Sequence, residues 1–148
     1  MSFKEVRKDF RPLTRTLTTF VRQFNDNYRC QFDSDFCAIN NKRINYTIAV
    51  SEKNANDFKK DFASRFPMAN NFDTFILFFL HELGHLQTAE LVIDDSNERK
   101  TTNDYYGLYN ERIATDWAGT FLTENYDFMK EWERKILNSK KKVLDFFA

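Results

Sequence analysis

No stretch of this chain is apolar for anything near the ~20 residues that a membrane-spanning helix needs, so the sequence predicts no transmembrane segment. The opening residues, MSFKEVRKDF, have no apolar signal region, and nothing predicts secretion. Net charge is missing as well. The 22 Lys and Arg balance the 22 Asp and Glu, which leaves no global electrostatic case for binding nucleic acid. Cysteine is scarce: Cys30 and Cys37 alone do not make a disulfide framework, so a reducing cytoplasm is the expected compartment. Both thiols are expected to fill core positions rather than to bind metal. Histidine is just as rare, with two in 148 residues, but the two are not scattered.

What is present suits a single packed domain over residues 1–148. Hydrophobic residues make up 42% and aromatics 17%, so 17 phenylalanines can supply much of a core. The 30% of charged residues suits a solvated surface.

Periodicity predicts an α+β architecture: mostly helices, with a small antiparallel three-stranded sheet packed on a central helix. Residues 9–27 read as an amphipathic helix with Phe10, Leu13, Leu17, Phe20, Val21 and Phe24 on one stripe. Asp9 can cap it, and Pro12 is tolerable in its first turn. The period then changes from 3.6 to 2. Tyr28, Cys30 and Phe32 alternate with polar neighbours, 36–40 reads as a second strand, and Ile44, Tyr46, Ile48 and Val50 mark the clearest strand, over 44–50. Ser51 can cap a helix over 52–66 that turns Ala55, Phe58, Phe62 and Phe66 inward, and Pro67 ends it. A loop at 70–73 leads to a helix over 74–92, capped by Asp73 and apolar nearly all round. Residues 94–104 are polar and are expected to form a long, mobile surface loop. Helices are expected at 105–123 and 126–146, the latter with Met129, Trp132, Ile136, Val143 and Phe146 on a stripe. Its Lys140-Lys141-Lys142 run reads as a solvated face.

The helix at 74–92 carries both histidines, in His81-Glu82-Leu83-Gly84-His85. Four residues apart on a helix, the two imidazoles lie one turn apart on one face and can bind a single metal ion. Glu82 is placed to reach water activated at that metal. This is the H-E-x-x-H pattern of zinc metallopeptidases.

A catalytic zinc takes three protein ligands and keeps a position open for water. With no third histidine the metzincin pattern is excluded, and nothing supports a cysteine ligand. A downstream carboxylate is expected instead. Glu90, Asp94 and Asp95 are near in sequence, but Glu90 points away on a continuing helix. Glu111 is the better candidate. It lies on a separate helix with small Ala114 and Ala118 on neighbouring turns, and Gly84 on the motif helix permits a close approach from the other side.

These two segments, His-Glu-Leu-Gly-His at 81–85 and Glu-x-x-Ala-x-x-Trp-Ala at 111–118, resemble the ImmA/IrrE-type zinc metallopeptidases, where the second segment is commonly E-x-x-A-x-x-F-A. The likeness spans roughly residues 28–123. It implies a zincin-like domain with His81, His85 and Glu111 as zinc ligands and Glu82 as catalytic base. It also implies action on a specific regulatory protein, such as a transcriptional repressor, because members often act beside a DNA-binding repressor in bacteria, phages and mobile elements. The Asn-, Lys- and Phe-rich composition suits an AT-rich bacterial or phage genome. Thr115 stands where the family often has Asn or Asp, with Asp116 one place later. The thermolysin-like N-E-x-x-x-D pattern fits less well, since Asp116 is one residue too late. Asp116 is either a group that orients a ligand imidazole or an ordinary surface carboxylate.

Peptide hydrolysis would also need a donor for the tetrahedral oxyanion. With no spare histidine, Tyr105, Tyr106 and Tyr109 are the candidates. Tyr109 is two residues from the ligand and points off its face, while Tyr105 and Tyr106 border the polar loop. Tyrosines in such positions are more often packing residues. The strand at 44–50 could hold an extended protein or peptide substrate by strand addition. Two other readings compete with the enzyme: a non-catalytic binding module that grips a protein or nucleic acid with zinc as a structural staple, and a chance motif in which the histidines only fill the core. Retention of Glu82 favours the enzyme, because a structural site needs no base.

Overall fold

The computed structural model describes residues 13–32, 37–42, 44–48 and 52–147, with residues 52 and 139–147 described through their backbone alone. The described chain is mostly helical with one three-stranded antiparallel sheet, an α+β arrangement.

Helix α1, Thr14–Val21, buries Leu17, Phe20 and Val21, with Leu13 buried just ahead of it. It stops short of the expected residue 27. The N–H groups of Gln23 and Phe24 turn back to the carbonyls of Phe20 and Val21, three residues earlier, which tightens the helix end. The Asn25 side chain then accepts from the Asn27 N–H at 2.8 Å and closes a local turn in place of a further helical turn. Asp9, Phe10 and Pro12 lie outside the described residues.

Strands β1 (Arg29–Phe32), β2 (Cys37–Asn41) and β3 (Ile44–Ile48) follow as an antiparallel meander, in the order β1-β2-β3. Cys30 pairs with Ile39, and Ile39 with Tyr46. Among the described residues β3 is an edge. It turns Tyr46 and Ile48 inward and leaves Asn45 and Thr47 exposed, the alternation its sequence predicts. Both cysteines are buried free thiols, as expected. Phe36 and Val50 fall outside the described residues.

Helix α2, Glu52–Arg65, buries Ala55, Phe58 and Phe62. Its expected cap, Ser51, is outside the described residues. Pro67 ends it and opens a 3-10 turn, Pro67–Asn71, across part of the expected loop. The Asp73 carboxylate accepts from the Phe75 N–H at 2.8 Å and caps helix α3, Thr74–Gln87. From Phe75 to Leu86 every residue of α3 is buried except half-buried Glu82. The sheet packs on this helix through β2 and β3. The helix ends at Gln87, short of residue 92: the Thr88 hydroxyl sits on the Gly84 carbonyl at 2.8 Å, and the Leu91 N–H turns back to the Thr88 carbonyl at 2.9 Å in a separate 3-10 turn, Ala89–Leu91.

The expected long loop at 94–104 contains a short helix, α4, Ser96–Thr101. Its polar residues pair locally: Asp94 accepts from the Ser96 N–H at 3.0 Å, and Asp95 and Arg99 pair at 2.9 Å one turn apart. The next helix begins at 109, not 105. The Asp104 side chain accepts from the Gly107 N–H at 3.1 Å and closes a separate 3-10 turn, Tyr105–Gly107. Helix α5, Tyr109–Glu124, follows, and then α6, Tyr126–Phe147. On α6 Met129, Trp132 and Ile136 are buried as expected, while the side chains of Lys140 to Lys142, Val143 and Phe146 lie outside the described ones. Buried Glu133 ties α6 to the start of α3 by accepting from the Asp73 N–H at 2.7 Å and from Lys130 at 3.0 Å. No helix among the described residues is long and apolar enough to cross a membrane.

Among the described elements, helices α3 and α5 make the most extensive contact. Gly84 permits it, since a Cβ at this position would overlap the Ala114 carbonyl oxygen of α5. Gly84→Ala gains about 1 kcal/mol of helix propensity, yet overpacking at a rigid backbone costs about 1–3 kcal/mol. The expected result is a net loss of stability in urea unfolding, together with weaker metal binding. A Gly84→Ala protein more stable than the parent would contradict this packing.

Candidate metal centre

One turn of α3 separates His81 from His85, and both rings are buried. The first turn of α5 brings buried Glu111 against them. One carboxylate oxygen, Oε2 of Glu111, lies 2.8 Å from Nε2 of His81 and 2.8 Å from Nε2 of His85. The two Nε2 atoms are 3.1 Å apart. Three donor atoms therefore form a triangle of nearly equal sides. Ligands bonded to a tetrahedral metal at about 2.0–2.1 Å stand about 3.3 Å apart, so the triangle is close to one face of such a site. Hydrogen bonds alone satisfy it poorly. Two imidazole nitrogens facing each other repel if both are bare, because two lone pairs meet, and also if both carry protons, because two N–H donors meet. The residues fit a metal ion, and His81, His85 and Glu111 could hold one.

The surroundings fix the rings. Nδ1 of His81 is 2.9 Å from the hydroxyl oxygen of fully buried Thr115. With the Nδ1 proton donated to that hydroxyl, Nε2 keeps its lone pair for the metal. Phe58 meets the His81 ring edge-on at 5.1 Å, and Tyr46 stacks on His85 at 4.5 Å with the planes 9° apart.

Glu82 lines the same cavity, of about 240 Å³, with the three donors, Tyr46, Tyr105 and Tyr106. It keeps some open surface, but its carboxylate is crowded by protein. Burial first, and then the charge of Glu111, push its pKa well above the ordinary carboxylate value. For Glu111 burial also acts upward, but hydrogen bonds to His81 and His85 outweigh it and hold the carboxyl well below the usual range. Burial lowers the pKa of His81, against the pull of Glu111. Tyr46, Tyr105 and Tyr106 are all raised, first by burial, so each phenol stays protonated and able to donate. Tyr105 is raised further by its hydrogen bond to Glu111. Among the described residues no lysine or arginine lines the cavity that these two carboxylates share.

The structure thus gathers His81, Glu82, His85, Glu111 and Tyr106, together with Tyr105. Tyr109 does not line the cavity. It begins α5, two residues before Glu111 and so on another side of the helix, and its N–H donates to the Glu98 carboxylate at 2.9 Å. Glu90 and Asp94 are exposed, and Asp95 is paired with Arg99. Asp116 is a surface carboxylate paired with Arg65 at 2.8 Å. Two contributors were not assigned from the sequence. Thr115 lies four residues after Glu111, a spacing that puts both on one face of α5. Tyr46 was read only as an inward strand residue.

Comparison with protein-family models, with curated proteins and with solved structures finds no match.

One metal ion per chain is expected by elemental mass spectrometry after dialysis, and Glu111→Ala or His85→Ala should remove it. Thr115→Val should leave the fold intact and weaken metal affinity on the order of tenfold. Full metal retention in Glu111→Ala would contradict the assignment.

Proposed function

We propose that this protein is a zinc-dependent metallopeptidase of the ImmA/IrrE type that cleaves a peptide bond in a specific regulatory protein, such as a transcriptional repressor. The observation that carries the proposal is Glu82. A structural metal site has no use for a carboxylate beside its ligands, yet Glu82 shares the cavity of His81, His85 and Glu111 and is held where its proton affinity is high. A base with raised affinity for a proton is suited to take one from water and return it later. Two histidines and one carboxylate form the donor set of zinc peptidases, which supports zinc as the metal.

Zinc held by His81, His85 and Glu111 would supply Lewis acidity, acidifying water and polarising a carbonyl. Around it the chain's own groups have distinct tasks. Glu82 accepts the proton of the attacking water and delivers it to the departing amine. The phenol of Tyr106 or Tyr105 donates to the oxyanion, and the raised pKa of each keeps its proton available. Thr115 holds the His81 ring in register. Strand β3, an edge among the described residues with Asn45 to Thr47 at the cavity wall, supports an extended substrate running beside the metal centre.

Replacing Glu82 by Gln keeps its size and removes the basic oxygen. Zinc content and fold should be unchanged, with cleavage of the cognate protein reduced on the order of 10²-fold or more. If Glu82→Gln retains the full cellular effect of the protein, the reading gives way to a binding module stapled by zinc.

A further inference from the structure

A second cavity, larger at about 560 Å³, lies against the metal centre. Tyr105 and Tyr106 belong to the walls of both cavities, so one layer of aromatic side chains divides them. Tyr106 is held in that partition between Phe58 at 5.1 Å and His81 at 6.1 Å. The far wall is one face of α2, which presents Asp57 and Asp61 one turn apart. Asp104 closes the cavity beside Tyr105, but one of its oxygens is engaged by the Gly107 N–H. Like Asp104, Asp57 and Asp61 have no ion pair to a described lysine or arginine. Like charges four residues apart on a helix repel, and none of the described lining residues is basic. The Tyr105 ring already receives a cation on its surface, as the Arg99 guanidinium lies 5.7 Å from its centroid. The cavity therefore combines room for a long side chain, carboxylates without an ion-pair partner among the described residues at its far end, an aromatic wall, and a shared partition with the metal site.

We propose that this cavity is the specificity subsite of the peptidase, and that it receives a lysine or arginine side chain of the substrate next to the bond cleaved. This rests on the peptidase reading. A peptide lying along β3 past Glu82 would bring a neighbouring side chain to the Tyr105–Tyr106 partition. The apolar part of a lysine or arginine stem would pack on the rings, and its charged head would reach Asp57 and Asp61.

The test uses the full chain loaded with zinc and two peptide sets that differ only by lysine against norleucine at each position. Cleavage, read by mass spectrometry, should favour the lysine peptides about tenfold at one position beside the cut bond, and less so at high salt. Asp57→Asn/Asp61→Asn, an isosteric change on the cavity wall, should bring the lysine-to-norleucine ratio close to one. Binding of the same peptides to Glu82→Gln, read by fluorescence anisotropy, should show the same preference without turnover. Cleavage with no preference for lysine would overturn the subsite and leave the peptidase standing. Absence of cleavage with a lysine preference in binding that Asp57→Asn/Asp61→Asn removes would overturn the peptidase and keep a basic-peptide site. Equal binding of both peptide sets would overturn the subsite in either case.

Discussion

The candidate metal centre depends on one close approach, that of helix α3 to helix α5. Gly84 of α3 sits under the Ala114 backbone of α5, with no room for a Cβ between them. Gly84 lies between the two histidines in sequence, and Ala114 lies one turn beyond Glu111 and one residue before Thr115. Pressing these backbones together therefore sets the depth of Glu111 against both imidazoles and that of Thr115 against one of them. A wider spacing would leave two histidines facing a carboxylate they could not share. Glycine inside a helix costs about 1 kcal/mol relative to alanine, but the surrounding residues of α3 are buried almost without exception and hold it in place.

Charge is the second constraint. Glu82 and Glu111 face one cavity that no described lysine or arginine lines, and the pKa values of Tyr46, Tyr105 and Tyr106 are raised first by burial and then by the two carboxylates. Buried negative charge of this kind is costly unless a cation meets it. The imidazoles answer part of it by holding Glu111 ionised. A divalent cation between the three donors would answer the rest, and would also lower the proton affinity that isolation gives Glu82. Placement of the donors, the base and the phenols around one small volume thus follows from a single electrostatic problem.

Local rules carry much of this into the sequence. His81 and His85 four residues apart, Gly84 between them, and Glu111 followed by alanines at one-turn spacing are enough to pair two helices and bring a carboxylate to two imidazoles. Alternation at Ile44, Tyr46 and Ile48 sets the face of β3, and Asp73 caps α3 where expected. Other features depended on contacts that periodicity does not encode. Tyr46 stacks on His85 only because β3 lies on α3 at that depth. The break between Gly107 and Tyr109 arises from the Asp104 side chain closing its own turn, which removes residues 105–107 from α5 and turns Tyr105 and Tyr106 to the cavity. The helix at 96–101 is short and has no buried residue, so no apolar stripe could announce it. Thr115 was visible as a departure from a family pattern, while its role emerged only from its distance to His81.

X-ray absorption at the zinc edge of the metal-loaded protein tests the central claim most directly, because it reads the ligand atoms themselves. The account predicts a first shell of nitrogen and oxygen at about 2.0–2.1 Å, with outer-shell scattering from two imidazoles and no sulfur. A sulfur shell at about 2.3 Å, bringing Cys30 or Cys37 into the site, would contradict it, as would the absence of imidazole scattering.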